Sequence, residues 1–248
     1  MADHFPLRLA ASRMLAPSVR HMAFERADGQ AFAFVPGQFV QIHFHYADGK
    51  PTKRSYSVAT IGSGSGAVEQ LEIAVSYVDG GAATDLLANL KEGDSIDGSG
   101  PYGRFCLMDA DANRRYLLVA TGTGVTPYRA MLPQLEKLMA TRRIEVDLVY
   151  GARNAGELLY SDEFEAFAAK NPNFHFYACL SRTPRTEPRP HDRNGHVQVA
   201  LTELAPDPAH DIAYLCGNPD MVDQAFAQLK DAGLPIPHIR REKYVSSR

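Results

Sequence analysis

The sequence predicts two domains in series, a small β-barrel over residues 1–108 and an α/β parallel-sheet domain over 112–248. Three observations predict this. At 248 residues the chain is long enough for two modest cores. Residues 6–108 contain short β-type runs separated by Gly, Pro and Asp, such as QFVQIHFHY (38–46), SYSVAT (55–60) and LEIAVSYV (71–78). After a polar bridge, Asp109 to Asn113, the pattern changes to strands alternating with longer helices.

In the first domain a single helical segment, TDLLANL (84–90), follows the GGAA run and ends at the KEGD turn. In the second, the strands are RYLLVAT (115–121), EVDLVYGA (145–152), FHFYACL (174–180) and IAYLCG (212–217), each apolar enough for burial on both faces. Helices are expected near 127–140, 161–169, 196–204 and 219–231. The Pro- and Arg-rich stretch RTPRTEPRPHDRNG (182–195) reads as an exposed, mobile loop.

A formal charge of -3 and a pI near 6.3 lack the basic excess that a nucleic-acid binder needs. The N-terminus has no charged leader followed by an apolar run, and no stretch reaches transmembrane length, so a cytoplasmic protein with no membrane partner is expected. The three cysteines, Cys106, Cys179 and Cys216, are too few for a four-thiolate iron–sulfur site. No metal is expected. His43 and His45 share a strand face, which reads as solvated rather than metal-binding.

RYLLVAT runs directly into GTGVTP (122–127) and a helix. Gly122 and Gly124 let the backbone approach a pyrophosphate, with free N–H groups at the helix start and Pro127 in its first turn. The alternative is a glycine-rich turn with no ligand. Beyond the strand ends lie Arg153, Ser181 and Arg182, with Arg185 and Arg189 in the same loop. Arginines there suit a ribose 2′-phosphate and favour NADPH over NADH, although a solvated arginine loop needs no phosphate. In CGNP (216–219), Cys216 ends a strand where ligands bind in parallel sheets; an inert buried thiol is the other reading.

In RSYS, Arg54 and Tyr56 lie on one face of a strand by its period of two, beside Ser57. GGAAT (80–84) supplies a second helix start suited to phosphate. In this order, RSYS, GGAAT, GTGVTP and CGNP resemble the ferredoxin–NADP(+) reductase superfamily, and YGARNAGELLY (150–160) resembles its bacterial ferredoxin/flavodoxin–NADP(+) reductases in particular. The likeness covers nearly the whole chain. It implies a six-stranded antiparallel barrel holding FAD, then a nicotinamide domain with a five-stranded parallel sheet. Arg54 would bind the FAD pyrophosphate, Tyr56 pack on the isoalloxazine, and Ser57 hydrogen-bond near N5. Gly81, Ala82, Ala83 and Thr84 would hold the FAD phosphates. Thr121, Gly122, Thr123 and Gly124, with Pro127, would form the NADP(H) turn. Thr123 and Cys216, with Gly217 and Asn218, would flank the nicotinamide, while Ser181, Arg182 and Arg153 read the 2′-phosphate.

The implied reaction is hydride transfer from NADP(H) to flavin N5, then single-electron steps to a ferredoxin or flavodoxin, catalysed by a monomer. Tyr56, Ser57 and Cys216 are the expected catalytic positions. Lys50, Lys53, Arg54 and Arg104 are candidates to face an acidic partner. The chain ends REKYVSSR (241–248) instead of on the terminal aromatic of plant-type members. Tyr244 either substitutes for that aromatic or is a surface residue, and Glu242 is either an acidic neighbour of the nicotinamide or a solvated charge. Two other readings stand beside the main one: a flavin reductase or oxygenase reductase component, and a non-catalytic nucleotide-binding subunit.

Overall fold

The computed structural model describes residues 3–46, 48–62, 66–78, 80–108 and 112–245. The chain forms two compact units. The first comprises Met1–Leu107 together with Thr126–Pro133, and the second Met108–Val125 and Gln134–Val245. Compared with the expected domains, the first unit also takes in an eight-residue helical segment from beyond the bridge. Asp109, where the bridge was expected to start, lies outside the described residues.

In the first unit, β1 (Asp3–Ala16), β2 (Val19–Arg26), β3 (Phe39–His45), β4 (Pro51–Ser57), β5 (Gln70–Ser76) and β6 (Ser95–Tyr102) form one antiparallel sheet. Its order is β4-β3-β6-β1-β2-β5. The two edges are joined just past β4, where Val58 bridges Ile73 and the Ala59 N–H donates to the Glu72 carbonyl at 2.7 Å. This curls the sheet into the expected barrel around Leu7, Met22, Phe24, Ile42, Val58 and Ile73. The lone helix, α1 (Ala82–Asn89), begins two residues before the expected start, and its Leu87 packs into the same core. Within this unit Arg129 is buried, donating to the Ala59 carbonyl at 2.6 Å and to the Glu72 carboxylate at 2.5 Å.

The second unit contains β7 (Arg115–Thr121), β8 (Glu145–Ala152), β9 (Phe174–Leu180), β10 (Arg193–Asn194), β11 (Asp211–Gly217) and β12 (Ile239–Lys243). All pairings are parallel, in the order β10-β9-β8-β7-β11-β12. The helices are α2 (Thr126–Arg142), whose first eight residues belong to the first unit, α3 (Ser161–Lys170), α4 (Val197–Leu204) and α5 (Pro219–Asp231). On one sheet face, α4 and α5 pack against Leu117, Val119, Val149 and Leu215. Phe164 of α3 meets Phe176 of β9, and Arg142 at the end of α2 donates to the Tyr116 hydroxyl. At the sheet's amino end Arg115 holds the buried Asp211 through both carboxylate oxygens, at 3.0 and 2.5 Å.

Three expectations change. The sheet has six strands where the family likeness implies five: β12 arises from the charged tail, and β10 is a two-residue pairing inside the 182–195 loop. That loop is pinned rather than simply exposed, because Arg185 pairs with Glu165 and Asp192, and Arg189 with Glu165. His43 is half-buried rather than simply solvated. Its Nε2 lies 2.7 Å from the hydroxyl of buried Ser99, and its ring sits 5.2 Å from that of His4. Among the described residues no group of three or more side chains could hold a metal, and no helix is long and apolar enough to cross a membrane.

Burial, then the neighbouring His4 and Lys53, hold the His43 pKa below its ordinary 6.5, with Asp97 opposing. The unfolded chain therefore takes up a proton near pH 6.5 that the folded chain resists. The stability is intact above that pH and falls as pH drops toward the lowered folded value. Melting temperature should decline between about pH 7 and 5.5, and His43→Gln should flatten part of that slope. An unchanged slope in the variant would remove His43 as its source.

Candidate functional site

In the first unit the site is built on β4 and the start of α1. Thr52, Arg54 and Tyr56 alternate as half-buried residues along β4, and Ser57 is buried at its end. Arg54 donates to the Lys53 carbonyl (2.9 Å), the Thr52 hydroxyl (3.3 Å) and the Tyr46 hydroxyl (3.3 Å), and lies over the Phe44 ring. Burial pushes the Tyr56 phenol up to about 12 against the pull of Arg54, so this ring is neutral at any working pH.

The α1 start suits an anion. Gly81 is its N-cap, with no side-chain cap on the first N–H groups, and Gly80 has φ +71° with open space beside it. Thr84 is partly committed: its hydroxyl accepts from the Val78 N–H at 2.8 Å, which fixes the entry turn. The far end of α1 carries no basic residue of its own. Arg20 of β2 supplies one, donating to the carbonyls of Leu87 (2.8 Å), Ala88 (3.2 Å) and Leu90 (3.0 Å), and to the Ser12 hydroxyl (2.6 Å). An isolated eight-residue helix is marginal, so a cation binding its last carbonyls both stabilises it and complements its dipole.

In the second unit the site lies where the strand order reverses, at the carboxyl ends of β7 and β11. Gly122–Val125 form a 3-10 turn running straight into α2. The free N–H groups are therefore those of Gly122 and Thr123, not those near Pro127, which lies in the first turn of α2; the Gly124 N–H is turned to the Thr121 carbonyl by the i→i+3 pattern of the 3-10 turn. Gly124 and Gly217 let two backbones touch. A β-carbon on Gly124 would lie 2.6 Å from the Gly217 Cα and closer still to the Cys216 carbonyl; one on Gly217, at φ +129°, would stand 2.5 Å from the Thr121 carbonyl. Thr121 clasps the same junction, its hydroxyl accepting from the Asn218 N–H at 3.1 Å. The Asn218 carboxamide oxygen caps α5, accepting from Asp220 and Met221. Both side chains thus serve the backbone frame.

Cys216 is fully buried. Burial first, and Glu242 second, hold its thiol well above the usual range, opposed by a side-chain hydrogen bond with Tyr244. Cys216 is a neutral thiol, unsuited to act as a base. Tyr244 follows β12 and is half-buried, its N–H donating to the Gly217 carbonyl at 2.8 Å. The structure thus brings Tyr244, Glu242 and Cys216 together, and Tyr244 is more than a surface residue.

The arginines sort by their partners. Arg153 pairs with Glu157, Arg185 and Arg189 with Glu165, and Arg193 with Glu203. Arg182 is exposed with no ion-pair partner among the described residues. Its N–H and that of Thr183 donate to the Arg153 carbonyl at 3.0 Å, and Ser181 donates from both N–H and hydroxyl to the Ala152 carbonyl. Arg153, Ser181 and Arg182 are therefore gathered at adjoining strand ends, whereas Arg185 and Arg189 are consumed by the loop.

Sequence reasoning missed Arg20 and Arg129. Arg20 lies about 70 residues from the carbonyls it caps, and no local pattern announces such a partnership.

Comparison with known proteins identifies the two domains. The family profile for the oxidoreductase FAD-binding domain matches residues 6–106, and that for the oxidoreductase NAD-binding domain matches 118–226. The chain is 36% identical over 251 residues to ferredoxin–NADP reductase B of Sorangium cellulosum, covering 98% of each chain. It is 32% identical to the phenol 2-monooxygenase reductase component of Pseudomonas sp. strain CF600, matching 94% of this chain but 63% of that relative. Among solved structures, an Amycolatopsis cytochrome P450 reductase superposes with a TM-score of 0.84 at 29% identity, over 99% of this chain and 71% of the other.

Two substitutions test the frame. Gly124→Ala should cost about 1–3 kcal/mol, because backbone rather than a flexible side chain obstructs it, and should abolish nucleotide binding; urea titration and calorimetry check this. Arg20→Ala should cost about 1–2 kcal/mol and weaken flavin binding roughly tenfold by fluorescence, with Arg20→Lys intermediate. Unchanged flavin affinity would show that α1 needs no cap.

Proposed function

The chain belongs to the ferredoxin–NADP(+) reductase superfamily, and from that premise we propose that it exchanges electrons between NADP(H) and a one-electron carrier, a ferredoxin or flavodoxin. That it is an oxidoreductase with FAD- and NAD-binding domains follows from the family. The match with a ferredoxin–NADP reductase over 98% of both chains supports the choice of carrier. When bound, FAD supplies the exchange between two-electron hydride chemistry and single-electron transfer.

The residues present fit that cofactor. Arg54 and the uncapped N–H groups of α1 would receive its pyrophosphate, Tyr56 would pack on the ring as a neutral apolar surface, and Ser57 would hydrogen-bond near N5. Gly122 and Thr123 would offer N–H groups to the NADP(H) phosphates, with Gly124 allowing the close backbone approach that shapes the turn. Cys216, Glu242 and Tyr244 would border the nicotinamide.

The preference for NADPH rests on Arg182. Among the described residues, and unlike Arg153, Arg185 and Arg189, it has no carboxylate partner, and it stands beside the Ser181 hydroxyl. A free guanidinium gains more from a 2′-phosphate than a paired one does.

A second reading has its own support. The likeness to an oxygenase reductase component favours an oxygenase as acceptor, but this chain spans 63% of that relative.

Anaerobic stopped-flow reduction of the FAD-loaded protein by NADPH and NADH tests the proposal. Flavin bleaching should favour NADPH, and Arg182→Ala should raise the NADPH KM about tenfold while leaving NADH unchanged. Absence of bleaching by either nucleotide would overturn the enzyme reading. Bleaching followed by transfer to neither ferredoxin nor flavodoxin would overturn the choice of carrier.

A further inference from the structure

Tyr150 lies on β8 with its ring fully buried. Its hydroxyl spends its proton and a lone pair on two backbone groups distant in sequence: it donates to the Gly122 carbonyl at 2.9 Å and accepts from the Leu159 N–H at 3.1 Å. Burial keeps the phenol protonated, so the donor role is permanent.

The consequence follows from peptide geometry. A trans peptide is planar, so a carbonyl fixed in one direction fixes the N–H of the next residue in the opposite one. The Gly122 carbonyl and the Thr123 N–H belong to one such plane. With the carbonyl anchored on Tyr150, the Thr123 N–H points away from that hydroxyl, at the helical end where intrahelical acceptors are lacking. Packing does not hold this plane, since Gly122 has φ +54° and open space where a β-carbon would stand. The Leu159 bond ties the same hydroxyl to the end of the 153–159 segment, which carries Arg153 at its start.

We propose that Tyr150 is a positioning residue for the dinucleotide: its hydroxyl orients the Gly122–Thr123 peptide so that the Thr123 N–H becomes a phosphate donor, and it links that peptide to the segment bearing Arg153. The proposal rests on the reading that the Gly122–Val125 turn receives the dinucleotide phosphates. Tyr150 touches no reacting atom, so its effect falls on nucleotide affinity rather than on turnover at saturation.

The test uses the FAD-loaded protein. NADP+ and NAD+ are titrated calorimetrically into wild type and Tyr150→Phe, and the NADPH KM and kcat are measured with ferricyanide as acceptor. In the variant the NADP+ Kd and the NADPH KM should rise roughly tenfold, as loss of one aligned charge-assisted donor implies, with kcat within about twofold and FAD content unchanged. A variant that melts earlier yet binds NADP+ as wild type does would reduce Tyr150 to a purely structural role and overturn the proposal.

A second measurement does not depend on the variant folding. In 15N-labelled wild type, the Thr123 amide resonance should shift on adding NADP+. A silent Thr123 amide amid shifting neighbours would overturn the proposal by itself. Wild type that binds neither nucleotide would remove the proposed function along with it, whereas binding in wild type and equal binding in the variant would remove this inference alone.

Discussion

The second unit depends on a place where two backbones meet with no room for a β-carbon. Gly124 in the turn after β7 and Gly217 at the end of β11 are each bounded by the other segment's backbone. Close approach there sets the Gly122–Val125 turn against the Asn218 turn that opens α5, at the point where the strand order reverses. Thr121 then fixes the spacing by accepting from Asn218. Any larger residue in either turn would force the two backbones apart.

The first unit solves a related problem with a charge. Its helix is too short to persist alone, and a glycine entry leaves its N–H groups uncapped. Arg20 satisfies carbonyls at the opposite end and fixes the helix to the barrel wall. The uncapped end is thereby kept available, since stability comes from the end where no ligand is expected. Arg129 acts similarly on the strand leaving β4, holding the Ala59 carbonyl and the Glu72 carboxylate from within the same unit.

Much of this was legible in the sequence. Strands such as RYLLVAT, buried along their length, showed a parallel sheet, and GTG and CGN marked the backbone positions that need glycine. What escaped was non-local or masked by charge. IRREK carries four charged residues out of five, so β12 offers no apolar signature; it forms because β11 provides a ladder of hydrogen-bonding groups. His43 alternates as a surface residue would, yet it meets Ser99 and His4 on other strands. The arginines could be counted from sequence but not sorted, since their carboxylates lie on α3, α4 and the 155–157 turn.

β12 has a consequence for the surface of the sheet. Without it, β11, whose seven residues are all buried, would present an apolar strand with open backbone groups to any other chain of β character. β12 takes that ladder and turns outward a strand of arginine, glutamate and lysine, anchored by Lys243 on Asp223 and by Arg241 over the Phe226 ring. The strand that brings Tyr244 to Cys216 also works as a guard against aggregation, replacing a sticky margin with one that repels a second copy of itself.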